Sequence, residues 1–94
     1  MTGTSPAERP QLAPHVRYQW DPVRAQHHLL FPEGVLVLNH TSAAIIQRCD
    51  GRAITSLIDE LAAAFPGATL TADVHDFLEE MMRRGFVRDT SSGA

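Results

Sequence analysis

Five histidines, one cysteine and eleven acids are the residues of this 94-residue chain with the chemistry for catalysis or metal binding. His27 and His28 are adjacent, but HHLLF around them reads as a strand, where neighbouring side chains point to opposite faces. They cannot chelate one ion as a pair, and His40, Cys49 and His75 follow at no ligand spacing. Cys49 as a nucleophile needs an exposed, activated thiolate. It falls instead on the apolar stripe of a helix and reads as a small buried hydrophobe. Asp73, Asp76, Glu79 and Glu80 lie opposite the apolar stripe of another helix, where a solvated face accounts for them. No nucleophile elbow, phosphate loop or glycine fingerprint occurs. These residues predict no enzyme, no metal site and no bound cofactor.

The elements that position them read as strands followed by helices. Residues 15–20 (HVRYQW) alternate, with Val16, Tyr18 and Trp20 facing one way, and Asp21-Pro22 breaks the run. Residues 27–31 form a second strand, and Phe31-Pro32-Glu33-Gly34 has the Pro and Gly placement of a type I turn. Residues 35–38 form a third strand, with Val35 and Val37 on one face and Leu36 and Leu38 on the other. A strand apolar on both faces is usually covered on both, and in so small a domain one cover can come from outside. Thr41 or Ser42 is expected to cap the first helix, whose inner stripe is Ile45, Ile46 and Cys49. Asp50-Gly51 is expected to stop it, with Gly51 at the left-handed C′ position.

A second helix places Ile54, Leu57, Ile58, Leu61 and Phe65 on one face and ends at Pro66-Gly67. Thr71 is expected to cap a third, with Asp73 near its positive end. Val74, Phe77, Leu78, Met81 and Met82 make its stripe, and Gly85 ends it. Phe86-Val87 can add a short extended segment. The order predicts an α+β fold: a three-stranded antiparallel sheet followed by a three-helix, winged helix-turn-helix-like cluster.

Composition narrows the partners. The net charge is −3, with eight arginines and no lysine against eleven acids. Nucleic-acid binding rests largely on phosphate neutralisation, and the third helix, the reader of a winged-helix transcriptional regulator, carries four acids and two terminal arginines. DNA binding is therefore the weaker alternative. No apolar run approaches the roughly 18 residues of a membrane span, and no signal-peptide pattern opens the chain, so a cytoplasmic protein is expected. The remaining reading is peptide binding, in which an extended segment adds to a bare strand edge. Residues 35–38 offer the strand, and Phe77, Met81 and Met82 offer an apolar wall. The helix period equally allows both methionines to be core.

Residues 29–51, LLFPEGVLVLNHTSAAIIQRCDG, resemble the PqqD family of pyrroloquinoline quinone biosynthesis. The likeness lies in an LL-aromatic-PEG turn, an apolar strand ending in LN, a Ser/Thr-rich helix start and a CDG stop. Arg9-Pro10, VRYQWD over residues 16–21 and DVHDFLEEMMRRGFV over residues 73–87 extend it along nearly the whole chain. Ala53 stands where a Thr cap is usual, and Phe31 where Tyr is commoner. The resemblance implies the fold of RiPP precursor-peptide recognition elements. It implies binding of the precursor peptide PqqA and its presentation to the radical SAM enzyme PqqE, which holds the iron–sulfur cluster and S-adenosylmethionine. The peptide would add a strand beside Val35, Leu36, Val37 and Leu38, against a wall drawn from Asp73, Phe77, Glu80, Met81 and Arg84. The Pro-, Ser-, Thr- and Gly-rich start and the polar end predict a flexible segment 1–14 and a flexible tail 89–94 around a peptide-recognition domain 15–88. The protein would be a monomer or a strand-exchanged dimer.

Overall fold

Alternation in the N-terminal half becomes a meander. Strands β2 (Arg17–Asp21), β3 (Gln26–Phe31) and β4 (Gly34–Leu38) pair antiparallel in the order β2-β3-β4. This computed structural model describes residues 8–66 and 70–90. Asp21 builds the first turn, its carboxylate accepting the N–H groups of Val23 and Arg24 at 3.0 and 3.3 Å, an Asx turn. Pro32 and Glu33 form the second, and neither has positive φ, which leaves type I among the four common types. Leu29 on the central strand lies between Tyr18 and Leu36 and is fully buried.

The inner face of this sheet is covered by helix α1 (His40–Gln47), which touches all three strands. Its cap is Asn39, whose side chain accepts the Ser42 N–H at 2.7 Å, so neither Thr41 nor Ser42 is the cap. The strand ends one residue before the helix begins, and only Asn39 keeps the extended backbone that an N-cap requires. Gly51 does adopt a left-handed conformation, φ 92°, but three residues beyond the Arg48 C-cap, in the turn that leads to helix α2 (Ile54–Ala64). Ala53 gives α2 no side-chain cap; the Ile54 N–H donates instead to the Glu8 carbonyl at 2.8 Å. Gly67, the expected stop after Pro66, lies outside the described residues.

Helix α3 (Leu70–Arg83) includes Thr71 within its first turn, so Thr71 is not its cap. Gly85 ends α3 as expected, at φ 82°. The Gly85 N–H donates to the Met82 carbonyl at 3.1 Å and the Phe86 N–H to the Met81 carbonyl at 2.9 Å, the paired bonds of a Schellman motif. Val74, Leu78 and Met81 of α3 join Leu57 and Leu61 of α2 and Ile45 and Ile46 of α1 in one core.

The ends of the domain differ from expectation. Strand β1 (Pro10–Leu12) pairs antiparallel with β5 (Val87–Asp89) in a second, two-stranded sheet. Residues 8–14 are thus fixed rather than part of a flexible segment, and Asp89 belongs to a strand rather than to a tail. The cause is backbone pairing together with burial of Pro10, neither of which leaves a hydrophobic period in sequence. Residues 1–7 and 91–94, the rest of the two expected flexible ends, lie outside the described residues.

Candidate functional site

β4 is one of the two edges of the larger sheet; like β2 at the other edge, it pairs with β3 alone among the described residues. Phe31 and Gly34 are Cα partners across a two-residue turn, so they must exchange hydrogen bonds; the alternative would bond two adjacent turn residues to each other. Bonded pairs then alternate along the ladder: Leu36 and Leu38 bond inward to Leu29 and His27, while Val35 and Val37 aim their N–H and C=O outward. The side chains divide the same way. Leu36 and Leu38 pack against the core, whereas Val35 and Val37 are 52% and 54% exposed on the opposite face.

The end of α3 is tied to the beginning of β4. The Schellman turn throws Phe86 back beneath Met81, and its ring packs on Phe31 at 4.5 Å between centroids. The Arg84 guanidinium lies over the other part of this pair, 5.0 Å from the Phe86 ring centre. Phe31 is also the nearest neighbour of Gly34, so Arg84 is brought to the N-terminal end of the edge strand. Asp73, Phe77, Glu80 and Arg84 follow one another at helical spacing along one flank of α3. Asp73 and Arg84 are exposed, Phe77 and Glu80 half-buried, and Glu80 pairs with Arg83. Met81 is buried to 3% exposure and, like Leu38, serves the core before any guest.

The other chemical candidates resolve locally. His27 points inward and His28 outward, where His28 Nε2 lies 3.0 Å from Gln26 Oε1. Among the described residues no group of three or more His, Cys, Asp or Glu is arranged to hold a metal ion. Arg48 and Arg52 converge on Glu60 at 3.1 and 2.5 Å, and Arg52 also grips Asp50 at 2.9 Å. That hydrogen bonding holds the Asp50 carboxyl down to about 2. These two arginines brace the turn between α1 and α2 and make no free basic patch. On α3, Asp73, Asp76 and Glu79 are exposed, a surface that repels phosphate. No helix among the described residues is long and apolar enough to cross a membrane.

Cys49 is buried, with its thiol donating to the Ile45 carbonyl at 3.3 Å. Burial, aided by the Asp50 charge, pushes the thiol up from its ordinary 9.0 to about 12. The protonated thiol is the native form, so its contribution to stability is intact below 9 and is lost as pH rises through 9 to 12, where the unfolded chain ionises first. Iodoacetamide at about pH 8 is expected to leave Cys49 unmodified in the native protein and to label it readily in denaturant. Equal labelling rates in the two states would contradict this placement.

Sequence reasoning missed one cluster. Tyr18, Trp20, His27 and His40 meet on the inner face at the far end of the sheet, with the His27 ring 4.8 Å from Trp20 and 5.1 Å from His40. The period-two pattern placed Tyr18 and Trp20 on one face, and the strand register would have added His27.

Comparison with known proteins agrees with this architecture. A family model described as "Coenzyme PQQ synthesis protein D (PqqD)" matches residues 26–87. A Methylococcus capsulatus protein named "PqqA binding protein" is 35% identical over 80 residues, covering 84% of this chain and 86% of that one. A protein of the same name from Azotobacter vinelandii is 37% identical over 89 residues, covering 93% and 97%. In structure, the chain is similar to the solution NMR structure of the PqqD truncation of Methylobacterium extorquens PqqCD, described as a functional, stand-alone RiPP recognition element. The TM-score is 0.74 at 24% identity, over 89% of this chain and 93% of that one, a likeness of fold. On the extent of the family match and the identity to these relatives, the chain belongs to the PqqD family.

Proposed function

We propose that this protein binds a PqqA precursor peptide by antiparallel strand addition to β4 and presents it to the radical SAM enzyme PqqE. The observation that carries the reading is the open edge of β4, with the Val35 and Val37 backbone groups aimed outward. Main-chain bonds to that edge supply affinity for an extended segment, and side-chain contacts supply selectivity. Guest side chains opposite Leu36 would point to the inner side, where we assign the Phe77 flank of α3 as their wall; those opposite Val35 and Val37 would lie along the outer valines. Asp73, Glu80 and Arg84 line the same flank and provide charges of both signs. The protein's contribution to chemistry is positional: a peptide held extended beside the enzyme reacts at a raised effective concentration, with part of its ordering cost already met.

The test is an NMR titration of the labelled protein with PqqA peptide. Amide shifts are expected at residues 34–38 and along Phe77 to Arg84. Shifts confined to the ends of the chain, or no binding at micromolar peptide, would sink strand addition. Presentation is tested separately, by whether PqqE turnover of PqqA depends on this protein and falls with edge-strand substitutions that spare the fold.

A further inference from the structure

Strand addition leaves one built feature unused. At the end of the sheet away from Phe31 lies a concavity of about 440 Å³. Cross-strand register explains its walls: Trp20 is partnered with His27 and His27 with Leu38, so the three make the last row of the inner face. Asn39 and His40 close the row where β4 passes into α1. His27 is the hub, with Nδ1 2.7 Å from the Tyr18 hydroxyl and Nε2 3.3 Å from His40 Nδ1. The imidazole is thereby fixed in orientation, while Trp20 stays 44% exposed.

We infer that this concavity receives an aromatic side chain of the bound peptide, from the residue opposite Leu38 or the one two positions before it. The inference rests on strand addition to β4. That strand runs from Gly34 to Leu38, so an antiparallel guest passes Leu38 first and leaves its N-terminal part over Leu38 and Asn39. Directly opposed residues project to the same face, which for Leu38 is the face of Trp20 and His27. At about 3.4 Å per residue, a guest residue two positions upstream faces the same way and still lies over this end of the sheet.

The walls select the class of side chain. Trp20, His27 and His40 offer ring surfaces, and an entering ring packs on them at about 4.5–7 Å between centroids, offset or edge-on. The space is larger than an aliphatic branch fills, and it is open enough for an indole or phenol. No Asp or Glu among the described residues lines it, so a guest lysine or arginine meets no counter-charge from them.

Trp20 is the only tryptophan of the chain, so its indole N–H resonance reports on the concavity alone in labelled protein. Two probes are compared: PqqA peptide, and a copy with alanine at each aromatic position at and ahead of the β4-paired segment. PqqA is expected to move the β4 amides and the Trp20 indole together. The alanine copy is expected to move the β4 amides, leave the indole still and bind about tenfold more weakly. Trp20→Ala and His40→Ala, both at exposed positions and checked for an unchanged amide spectrum elsewhere, are expected to weaken PqqA to a similar degree and to leave the alanine copy unaffected. If the β4 amides move and the indole does not, the subsite is overturned while strand addition stands. If the indole moves equally with both peptides, the aromatic assignment is overturned. If the β4 amides stay still, strand addition falls and the subsite with it.

Discussion

Val37→Pro is expected to leave the domain folded and to weaken PqqA binding by about tenfold or more, whereas Leu36→Pro is expected to unfold it. The two residues are neighbours with similar side chains, and the difference is the direction of their N–H groups. Closure of the Phe31–Gly34 pair sets the ladder so that Leu36 bonds to Leu29 and Val37 faces away. Proline in β4 removes one donor wherever it stands, and on an edge strand it is tolerated where that donor faces out. At Val37 the lost donor is one that an added peptide strand would use, and the ring also obstructs the guest backbone. A hydrogen bond worth about 1 kcal/mol, together with that obstruction, corresponds to about tenfold or more in affinity. At Leu36 the change instead breaks the β3–β4 ladder that holds β4 and removes a side chain packed against the core. Calorimetric titration gives the affinities, and amide spectra report the fold. Unchanged affinity in folded Val37→Pro would remove β4 as the docking edge. A folded Leu36→Pro beside an unfolded Val37→Pro would show that the ladder phase is reversed.

The same register marks where the sequence was legible. FPEG announced its turn because Pro fixes φ locally, and Gly85 announced the end of α3 because glycine readily takes the positive φ that a C′ residue needs. The two apolar faces of β4 were visible in the alternation of Val35 to Leu38, and the exposed pair, Val35 and Val37, is the face left uncovered. Which of those residues offers its backbone outward was not visible, because it depends on the length of the turn before them. The caps went astray by two or three residues because Asn39, Thr41 and Ser42 are all competent caps, and only the end of the strand decides among them. The His27–His40 contact lay further out of reach: it depends on the direction in which α1 leaves the sheet, which side-chain periodicity does not encode. Met81 illustrates a third limit. Its place on the α3 stripe was legible, but core and groove wall share that stripe.

Removing residues 1–13 is expected to abolish cooperative folding or to lower stability by about 5 kcal/mol, judged from hydrogen bonds of about 1 kcal/mol each. Backbone groups of Glu8, Arg9, Pro10, Leu12 and Ala13 bridge this strap to distant parts of the chain, and Gln11 bridges to Asp50 as well as pairing with Arg88. The carbonyls of Glu8, Arg9 and Pro10 accept from the N–H groups of Ile54, Thr90 and Gly51 at 2.8, 3.0 and 2.9 Å. The Leu12 and Ala13 N–H groups donate to the carbonyls of Cys49 and Phe86 at 3.1 and 2.9 Å. One short segment therefore joins the end of α1, the beginning of α2 and the turn after α3. A chain of this size has a total stability of about 5–14 kcal/mol, so losing the strap consumes a large part of it. The damage also reaches the edge strand. Phe86 is held by Ala13 on one side and packs on Phe31 on the other, so loosening the strap frees the C-terminal end of α3 from the β4 turn. Leu12→Pro, which deletes a single donor to Cys49, is expected to show a smaller loss in the same direction. Denaturant unfolding measures both, and a truncated chain with the midpoint and slope of the full one would show that β1 is dispensable.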